Sequence, residues 1–194
     1  MTNNLTVRRL TLDDNLSEVA RLIYYTDDYV FPYLYDNDVK RSESVIINMI
    51  KGNTIYNYKN ITVAILDGDI VGIVVSKETP ISVDLGEMVR CFIDANEPIG
   101  ERFTKTFNEY YKLFENEPAG VYIANVCVNE RYRGRGVGKA MMTEFMKELN
   151  GKVLHLEAVK DNVSALRLYE SLGFEIEYEY PGFTDVPCYR MIRK

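Results

Sequence analysis

Hydrophobic residues follow two different periods along this chain, and segments of the two kinds alternate. Short apolar runs rich in Val, Ile and Tyr predict strands. Two of these runs are joined by Asp67-Gly68-Asp69, a sequence typical of a hairpin turn. Apolar residues spaced three and four apart predict helices instead. The predicted strands cover residues 5–10, 61–66, 70–75, 121–128, 153–159, 175–180 and 189–193.

The predicted helices lie between these strands. Residues 42–51 form one helix that ends at Gly52, and residues 161–172 form another that ends at Gly173. A third helix follows the strand at residues 121–128. Thr11 is expected to cap the first helix of the chain, whose apolar stripe contains Leu16, Val19, Ala20 and Ile23.

A turn rich in Gly and Arg connects the strand at residues 121–128 to its helix. The glycines lack the Cβ atoms that would block close approach, so backbone N–H groups and the positive end of the helix can face phosphate oxygens. Basic side chains add full charges to the same site. The sequence therefore predicts a phosphate cradle made of Arg133, Gly134, Arg135, Gly136, Val137, Gly138 and Lys139.

Two other phosphate motifs do not match this turn. A P-loop needs Ser or Thr directly after its Gly-Lys pair to hold a metal ion, and here Ala140 follows Gly138 and Lys139. The dinucleotide pattern places its third glycine one residue further along the chain. Taken alone, the turn is also compatible with an exposed basic loop.

A third pattern, R-x-x-G-x-G, does fit, and a second motif follows it downstream. The two motifs consist of Arg133, Gly136 and Gly138, and of Asn162, Ala165, Tyr169, Gly173 and Phe174. Over residues 121–174 the chain resembles the acyl-CoA signature of the GCN5-related N-acetyltransferase (GNAT) superfamily. The resemblance implies one domain over residues 1–194 with a mixed α/β, GNAT-like fold. Such a fold has a central twisted sheet of about seven strands, mostly antiparallel, with flanking helices.

The same resemblance implies acetyl-CoA as cosubstrate, without a metal, in a cleft between two splayed central strands. The turn would hold the pyrophosphate. The two amides of the pantetheine arm can pair with an exposed strand edge, and a backbone N–H there can stabilise the charge that develops on the thioester oxygen. The expected edge is Val126, Cys127 and Val128.

Tyr169 and Asn162 are the expected side-chain contributors of the downstream helix. The resemblance places Tyr169 beside the sulfur of coenzyme A, where its hydroxyl can protonate the leaving thiolate. Helical spacing alone would make Tyr169 an amphipathic core residue. Asn162 is expected either to cap the helix or to contact the pantetheine arm.

No motif specifies the general base that must take the proton of the acceptor amine. Glu87 and Asp84 precede the glycine-turn strand in a segment that could reach the cleft, and Glu87 is our catalytic candidate beside Tyr169. His155 is the only histidine in the chain. Glu157 points to the same side of the sheet as His155, because side chains alternate along a strand.

Two aromatic segments depart from a minimal member of the family. Residues 24–35 are rich in Tyr and lie where the family builds its acceptor site, although a surface-packed loop would look the same. Residues 81–118 are expected to add a helix that packs on the core, lines the acceptor cleft or forms a dimer contact. The aromatic face of that helix contains Phe103, Phe107, Tyr110, Tyr111 and Phe114.

Composition bounds the partners. The chain has 194 residues, 46% of them hydrophobic, which suits one globular domain. A formal net charge of −6 argues against nucleic acid, and we find neither a membrane span nor a secretory signal. The three cysteines, distant in sequence, suit free thiols in a cytoplasmic protein and lack metal-site spacing.

Two functional classes follow. The favoured one is an N-acetyltransferase that acts on a primary amine of a small molecule or peptide, with direct attack in a ternary complex. No cysteine is placed by a motif to carry the acyl group. The alternative is an acyl-CoA-binding sensor or interaction module without catalysis, and a homodimer is left open in either case.

Overall fold

The computed structural model describes residues 4–26, 29–114, 118–149 and 151–194, and side chains within these ranges except those of residues 110–114 and 184. The described strands are β1 (Leu5–Arg9), β2 (Ile61–Leu66), β3 (Asp69–Glu78), β4 (Val121–Val128), β5 (Leu154–Val159), β6 (Glu175–Pro181) and β7 (Pro187–Arg193). The described helices are α1 (Leu16–Tyr24), α2 (Val30–Tyr35), α3 (Val39–Lys51), α4 (Leu85–Asp94), α5 (Glu101–Phe114), α6 (Val137–Lys147) and α7 (Val163–Ser171).

The seven strands form one sheet in the order β1-β2-β3-β4-β5-β7-β6. Neighbouring strands are antiparallel except β4 and β5, which are parallel. The predicted mixed fold with a mostly antiparallel seven-stranded sheet is therefore confirmed. No helix among the residues that the structure describes is long and apolar enough to cross a membrane.

The two parallel strands separate soon after they begin. β4 pairs with β5 over three positions only, from Val121 opposite Leu154 to Ile123 opposite Leu156. On its other side β4 stays paired with β3 as far as Val128 opposite Gly72. The edge of β4 that faces β5 is thus left open beyond residue 123, and a cleft begins there.

Helices cover both faces of the sheet and bury two separate apolar cores. On one face, α1, α3 and α4 bury residues such as Ile23, Ile46 and Phe92 against β2 and β3. On the other face, α6 and α7 bury Phe145 and Tyr169 together with the apolar side chains of β4 and β5. The cleft lies between these two layers, so each face can supply one side of a site.

Two helix starts differ from the prediction because the capping residue differs. Asn15, and not Thr11, caps α1, with its side chain accepting from the N–H of Glu18. The N–H and hydroxyl of Thr11 instead bind the carboxylate of Asp14. Helix α3 begins three residues earlier than predicted because Asp38 caps it.

The aromatic insertion contains two helices where one was predicted. Phe103 of α5 packs against Phe92 of α4 with ring centroids 4.7 Å apart, and Phe107 stacks on Phe103. Both residues of α5 pack on the core that contains Phe92, which supports the packing role for this helix. The side chains of Tyr110, Tyr111 and Phe114 lie outside the described residues.

Candidate active site

The opening between β4 and β5 forms a cleft of about 560 Å³. The floor comes from the two strands, one wall from the start of α7, and the rim from the segments that follow α1 and connect β6 to β7. The residues that line it include Thr26, Tyr29, Tyr122, Asn125, Val126, Arg133, Glu157, Asp161, Asn162, Tyr169, Tyr180 and Phe183.

Arg133, the first residue of the predicted phosphate cradle, lines this cleft, and the rest of the predicted cradle follows it in the turn where β4 leads into α6. Gly134 and Gly136 have φ angles of +72° and +80°, a region that L side chains rarely adopt. A Cβ atom at either glycine would enter open space, which is where a ligand can approach. Gly138 differs, because a Cβ there would make ordinary contacts with Leu168 and Val128 and would not enter open space.

Backbone N–H groups at the start of α6 are directed into the same space. The first intrahelical bond of α6 runs from the N–H of Ala140 to the carbonyl of Gly136. Helix geometry leaves the preceding N–H groups, from Val137 to Lys139, without carbonyl partners inside the helix. These groups and the positive helix end favour an anion.

The basic residues of the turn are held in different ways. The Nε of Arg133 donates to the carbonyl of Val128 at 2.9 Å, and this folds Arg133 back along the cleft. The guanidinium of Arg135 lies over the ring of Tyr132, 5.6 Å from its centroid. Lys139 is exposed on the first turn of α6. Positive charge is thus concentrated at one end of the cleft.

Tyr169 lines the middle of the cleft. Its side chain is 7% exposed and packs edge-on against Phe174, with ring centroids 5.9 Å apart. Burial, with a smaller effect of Cys127, raises the pKa of the Tyr169 phenol above its ordinary value. The phenol therefore keeps its proton at neutral pH, as a proton donor must.

Asn162 performs the capping role that was one of its two predicted functions. Its side-chain oxygen accepts hydrogen bonds from the N–H of Ala165 at 3.1 Å and from the hydroxyl of Ser164 at 3.0 Å. It also lines the cleft. Because the oxygen is engaged in the cap, a contact to a bound ligand falls to the amide nitrogen.

Glu157 is the base candidate that the structure brings to the cleft. Its carboxylate accepts from the hydroxyl of Tyr122 and from the guanidinium of Arg190, each at 3.4 Å. Burial and the nearby Glu157 raise the pKa of Tyr180, whose hydroxyl also bonds to Glu157. Three neighbours therefore orient one carboxylate that remains 18% exposed.

Glu87 does not lie at the cleft, so the structure gives no support to our sequence-based candidate. Its carboxylate accepts from the N–H of Asn53 at 3.1 Å and from Arg90 at 3.0 Å. Asp84 caps α4 by accepting from the N–H of Glu87. His155 is 1% exposed, packs beside Gly120 and does not line the cleft.

Sequence reasoning missed the polar residues that surround Glu157. Arg190 was the signal that could have revealed them, because it is a charged residue in an apolar strand. Such a charge needs a buried partner. Asn125, inside another apolar strand, carried the same signal.

A smaller, apolar cavity of about 80 Å³ adjoins the cleft. Phe103 and Phe107 of the insertion line it, together with Val30, Ile55 and Tyr56, and the last three residues also line the cleft. The insertion therefore lies behind the part of the cleft that Val30, Ile55 and Tyr56 line. Among the residues that the structure describes, no group of His, Cys, Asp and Glu could hold a metal ion.

The comparison with family models decides the family. Residues 24–174 match the model of the acetyltransferase (GNAT) family. The chain belongs to this family. The match spans the region from the tyrosine-rich segment to Phe174 and includes the cradle, the open edge of β4 and the Tyr169 helix.

Named GNAT relatives are similar to part of the chain. The N-alpha-acetyltransferase RimI of Mycobacterium tuberculosis is 32% identical over 83 residues, which cover 41% of this chain and 52% of RimI. The spermine/spermidine N(1)-acetyltransferase of Bacillus subtilis is 31% identical over 77 residues, or 38% of this chain and 49% of the relative. The chain thus spans about half the length of these curated relatives.

A solved structure matches nearly the whole fold. An N-acetyltransferase from Staphylococcus aureus Mu50 superposes with a TM-score of 0.70 and 16% identity, covering 97% of this chain and all of that one. At this identity the likeness concerns the fold alone. It agrees with the GNAT architecture of the sheet and its flanking helices.

Proposed function

We propose that this protein transfers an acetyl group from acetyl-CoA to a primary amine of a small molecule or peptide. The observation that carries the proposal is that one cleft is lined by a residue from each of four features. These are Arg133 of the glycine turn, Val126 on the open edge of β4, the protonated phenol of Tyr169 and the oriented carboxylate of Glu157. The GNAT family uses acetyl-CoA, and the cleft offers what that cosubstrate needs.

Acetyl-CoA would extend from the cradle along β4. The N–H groups at the start of α6, with Arg133, Arg135 and Lys139, suit its pyrophosphate. The open edge at Val126, Cys127 and Val128 suits the amides of its pantetheine arm, because β4 lacks a β5 partner there. Asn162 lies at the same wall of the cleft as Tyr169.

The reaction we propose is direct attack of the amine on the thioester carbonyl. An alkyl ammonium has an ordinary pKa near 10.4, so it must lose a proton before it can attack. Glu157 takes that proton. The new C–N bond forms, the nitrogen gives up its second proton to solvent, the C–S bond breaks, and a backbone N–H of β4 stabilises the charge on the carbonyl oxygen in between. Tyr169 gives a proton to the departing sulfur and regains one from solvent.

Cys127 is unsuited to carry the acetyl group in a two-step route. It is 4% exposed, and burial raises the pKa of its thiol to about 11. The nucleophile of such chemistry is the thiolate, and a thiol of this pKa stays almost fully protonated at neutral pH. This supports a ternary complex in which amine and acetyl-CoA are bound together.

A transfer assay tests the proposal against its alternative. Purified protein would be incubated with acetyl-CoA and a panel of peptides, polyamines and amino acids, and release of the free thiol of coenzyme A would be recorded. The proposed enzyme releases thiol only when a suitable amine is present. Tight binding of acetyl-CoA without transfer to any amine would instead favour a sensor or interaction module.

We also propose a cytoplasmic location, on the basis of the cysteines. Cys91 and Cys127 are buried free thiols and Cys188 is a partly buried one. Free thiols of this kind are typical of reducing compartments. A homodimer stays a prediction.

A further inference from the structure

Asn125 lines the cleft and carries a buried hydrogen-bond acceptor in its side chain. Asn125 lies on β4 two residues beyond the last position paired with β5, is 8% exposed and lines the cleft. Its amide nitrogen donates to the hydroxyl of Thr26 at 2.6 Å, and Thr26 follows α1. Asn125 therefore belongs to the α1 side of the site, opposite the layer of α6 and α7 that carries the cradle.

The hydrogen bonds of Thr26 fix which way this amide points. The hydroxyl of Thr26 lies 2.6 Å from the carbonyl oxygen of Ile23, which can only accept. The single hydroxyl proton is used there, so Thr26 must accept from Asn125. The amide nitrogen of Asn125 therefore faces Thr26, and its oxygen Oδ1 faces away.

Oδ1 of Asn125 is buried and has no hydrogen-bond partner among the residues that the structure describes. Buried acceptors are nearly always paired, and leaving one without a partner is costly. A donor from a bound substrate would satisfy it. A carbonyl or carboxylate placed there would be repelled instead.

The charges around Asn125 point to the same kind of substrate. Glu157 and Asp161 line the cleft, whereas Arg133, the cation in its described lining, is turned toward the carbonyl of Val128. Arg190 is close to the cleft, but its side chain is 3% exposed and pairs with Glu157. A free amino acid would bring its carboxylate beside these acceptors, where the described lining offers no exposed cation other than Arg133 at the cradle end.

We propose that the acceptor is the α-amine of a peptide, and that Oδ1 of Asn125 accepts a hydrogen bond from the first peptide N–H. The inference rests on the proposed acetyl transfer and names its substrate class. In a peptide the first amide N–H lies only two carbons from the attacking amine, so both can reach neighbouring groups of the cleft. A neutral buried acceptor suits a neutral amide N–H, whereas the second nitrogen of a polyamine would bring another charge to be desolvated.

Replacing the peptide N–H with an ester oxygen tests the hydrogen bond without changing shape. The probes are trialanine amide, its analogue with an ester in place of the first peptide N–H, free alanine and spermidine. For the wild type we expect kcat/KM to be about tenfold higher for the amide than for the ester, the usual effect of one buried hydrogen bond. Free alanine and spermidine should be poorer than trialanine amide.

Asn125→Ala should remove the preference and so separate recognition from folding. In the variant we expect kcat/KM to fall about tenfold for trialanine amide and to change little for the ester. The ratio of kcat/KM for the amide to that for the ester should then approach one. Asn48→Ala, which removes a half-buried Asn that bonds to the carbonyl of Cys91, is the matched control and should keep the ratio. If Asn125→Ala does not fold, Thr26→Val tests the same preference for the peptide N–H. Loss of the Thr26 hydroxyl frees the side-chain amide of Asn125 to turn.

The outcomes are distinct. An ester as good as the amide in the wild type, or an unchanged ratio in Asn125→Ala, would overturn the inference. Faster transfer to alanine or spermidine than to trialanine amide would overturn it while leaving acetyl transfer in place. Binding of acetyl-CoA without transfer to any probe or any other amine would overturn the proposed function itself.

Discussion

The guanidinium of Arg190 lies 3.4 Å from the carboxylate of Glu157, at directly opposed positions of β7 and β5. The same guanidinium lies over the ring of Tyr122, 5.6 Å from its centroid, and the hydroxyl of Tyr122 donates to Glu157. The carboxylate is therefore fixed from the sheet side while 18% of its side chain stays exposed. This arrangement suits a base that receives a proton from the cleft.

Glu157→Gln should slow transfer while leaving acetyl-CoA affinity unchanged. The amide keeps the size of the side chain but cannot take a proton, so kcat/KM should fall by about 10²- to 10³-fold near neutral pH. The deficit should narrow as pH rises toward the pKa of the amine, because more of the amine is then already deprotonated. A pH profile with trialanine amide measures both effects.

Glu87→Gln is the matched comparison for this variant. The Glu87 carboxylate binds Asn53 and Arg90 outside the cleft. The transfer rate of the Glu87→Gln variant should therefore stay within about twofold of the wild-type rate, as for a surface change. A large loss in Glu87→Gln with none in Glu157→Gln would reverse our assignment of the base.

Tyr169→Phe should lower kcat and leave the affinity for acetyl-CoA nearly unchanged. The phenyl ring keeps the contact with Phe174, so only the proton donor is lost. A thiol with an ordinary pKa of about 8.5 is already a tolerable leaving group, so we expect a loss of tens to hundreds-fold. Single-turnover rates should be used, since product release can hide a chemical step. An unchanged single-turnover rate would leave Tyr169 with a packing role only.

Gly136→Val should weaken acetyl-CoA binding without unfolding the protein. Valine at φ +80° is strained, and its side chain would occupy the open space of the cradle. Gly151 has φ +73° and equally open surroundings, but it follows α6 far along the chain from the cradle. Gly151→Val should therefore show similar strain.

Calorimetric titration with acetyl-CoA separates the two glycine variants. The thermal unfolding temperature should fall to a similar extent in both variants. The affinity for acetyl-CoA should fall at least tenfold in Gly136→Val alone, the loss expected when close backbone approach to phosphate is blocked. Equal affinity in the two folded variants would rule out the cradle as the pyrophosphate site.

Asp14→Asn should destabilise the fold in a pH-dependent way. Hydrogen bonds from Arg8, partly offset by burial and helped by Thr11, hold the pKa of the Asp14 carboxyl well below its usual range. The stabilisation is complete above the unfolded-state pKa of about 3.9 and is lost as pH falls below it. At pH 7 the free energy of unfolding of the variant should be about 1–3 kcal/mol lower than that of wild type.

Denaturant titrations at several pH values check this expectation. The difference between wild type and Asp14→Asn should shrink as pH falls from about 4 toward 2, because the unfolded wild-type chain then binds a proton that the folded chain resists. Asp13→Asn, at the exposed neighbouring position, is the control and should change stability little at any pH. A constant difference across pH would mean that the Asp14 charge does not act as described.

The elements with strong periodic patterns could be predicted from sequence, in places to the residue. β2 and β4 have the predicted bounds, because each is a buried apolar run closed by turn residues. Gly173, predicted to end the helix of residues 161–172, follows α7 with a left-handed φ of +85°. Helices α2 and α4 were missed, because each is short and its apolar residues are mixed with aromatic or acidic ones.

The site was predictable only where a motif carries it. The cradle and Tyr169 belong to motifs at fixed spacings, so both could be proposed from the sequence. Glu157 differs, since it depends on contacts with Tyr122 and Arg190, 35 and 33 residues away in sequence. Pairing across a sheet decides such contacts, and a single sequence does not display it. Asn125 and Thr26, 99 residues apart, were hidden for the same reason.

The most direct test of acetyl transfer is mass spectrometry of trialanine amide after incubation with acetyl-CoA and either wild type or Glu157→Gln. We expect the wild type to add one acetyl group to the α-amine, with one equivalent of coenzyme A released for each product. Glu157→Gln should form product far more slowly while it still binds acetyl-CoA. Absence of an acetylated product with this peptide and with every amine of the panel, from a wild-type protein that binds acetyl-CoA, would contradict the account.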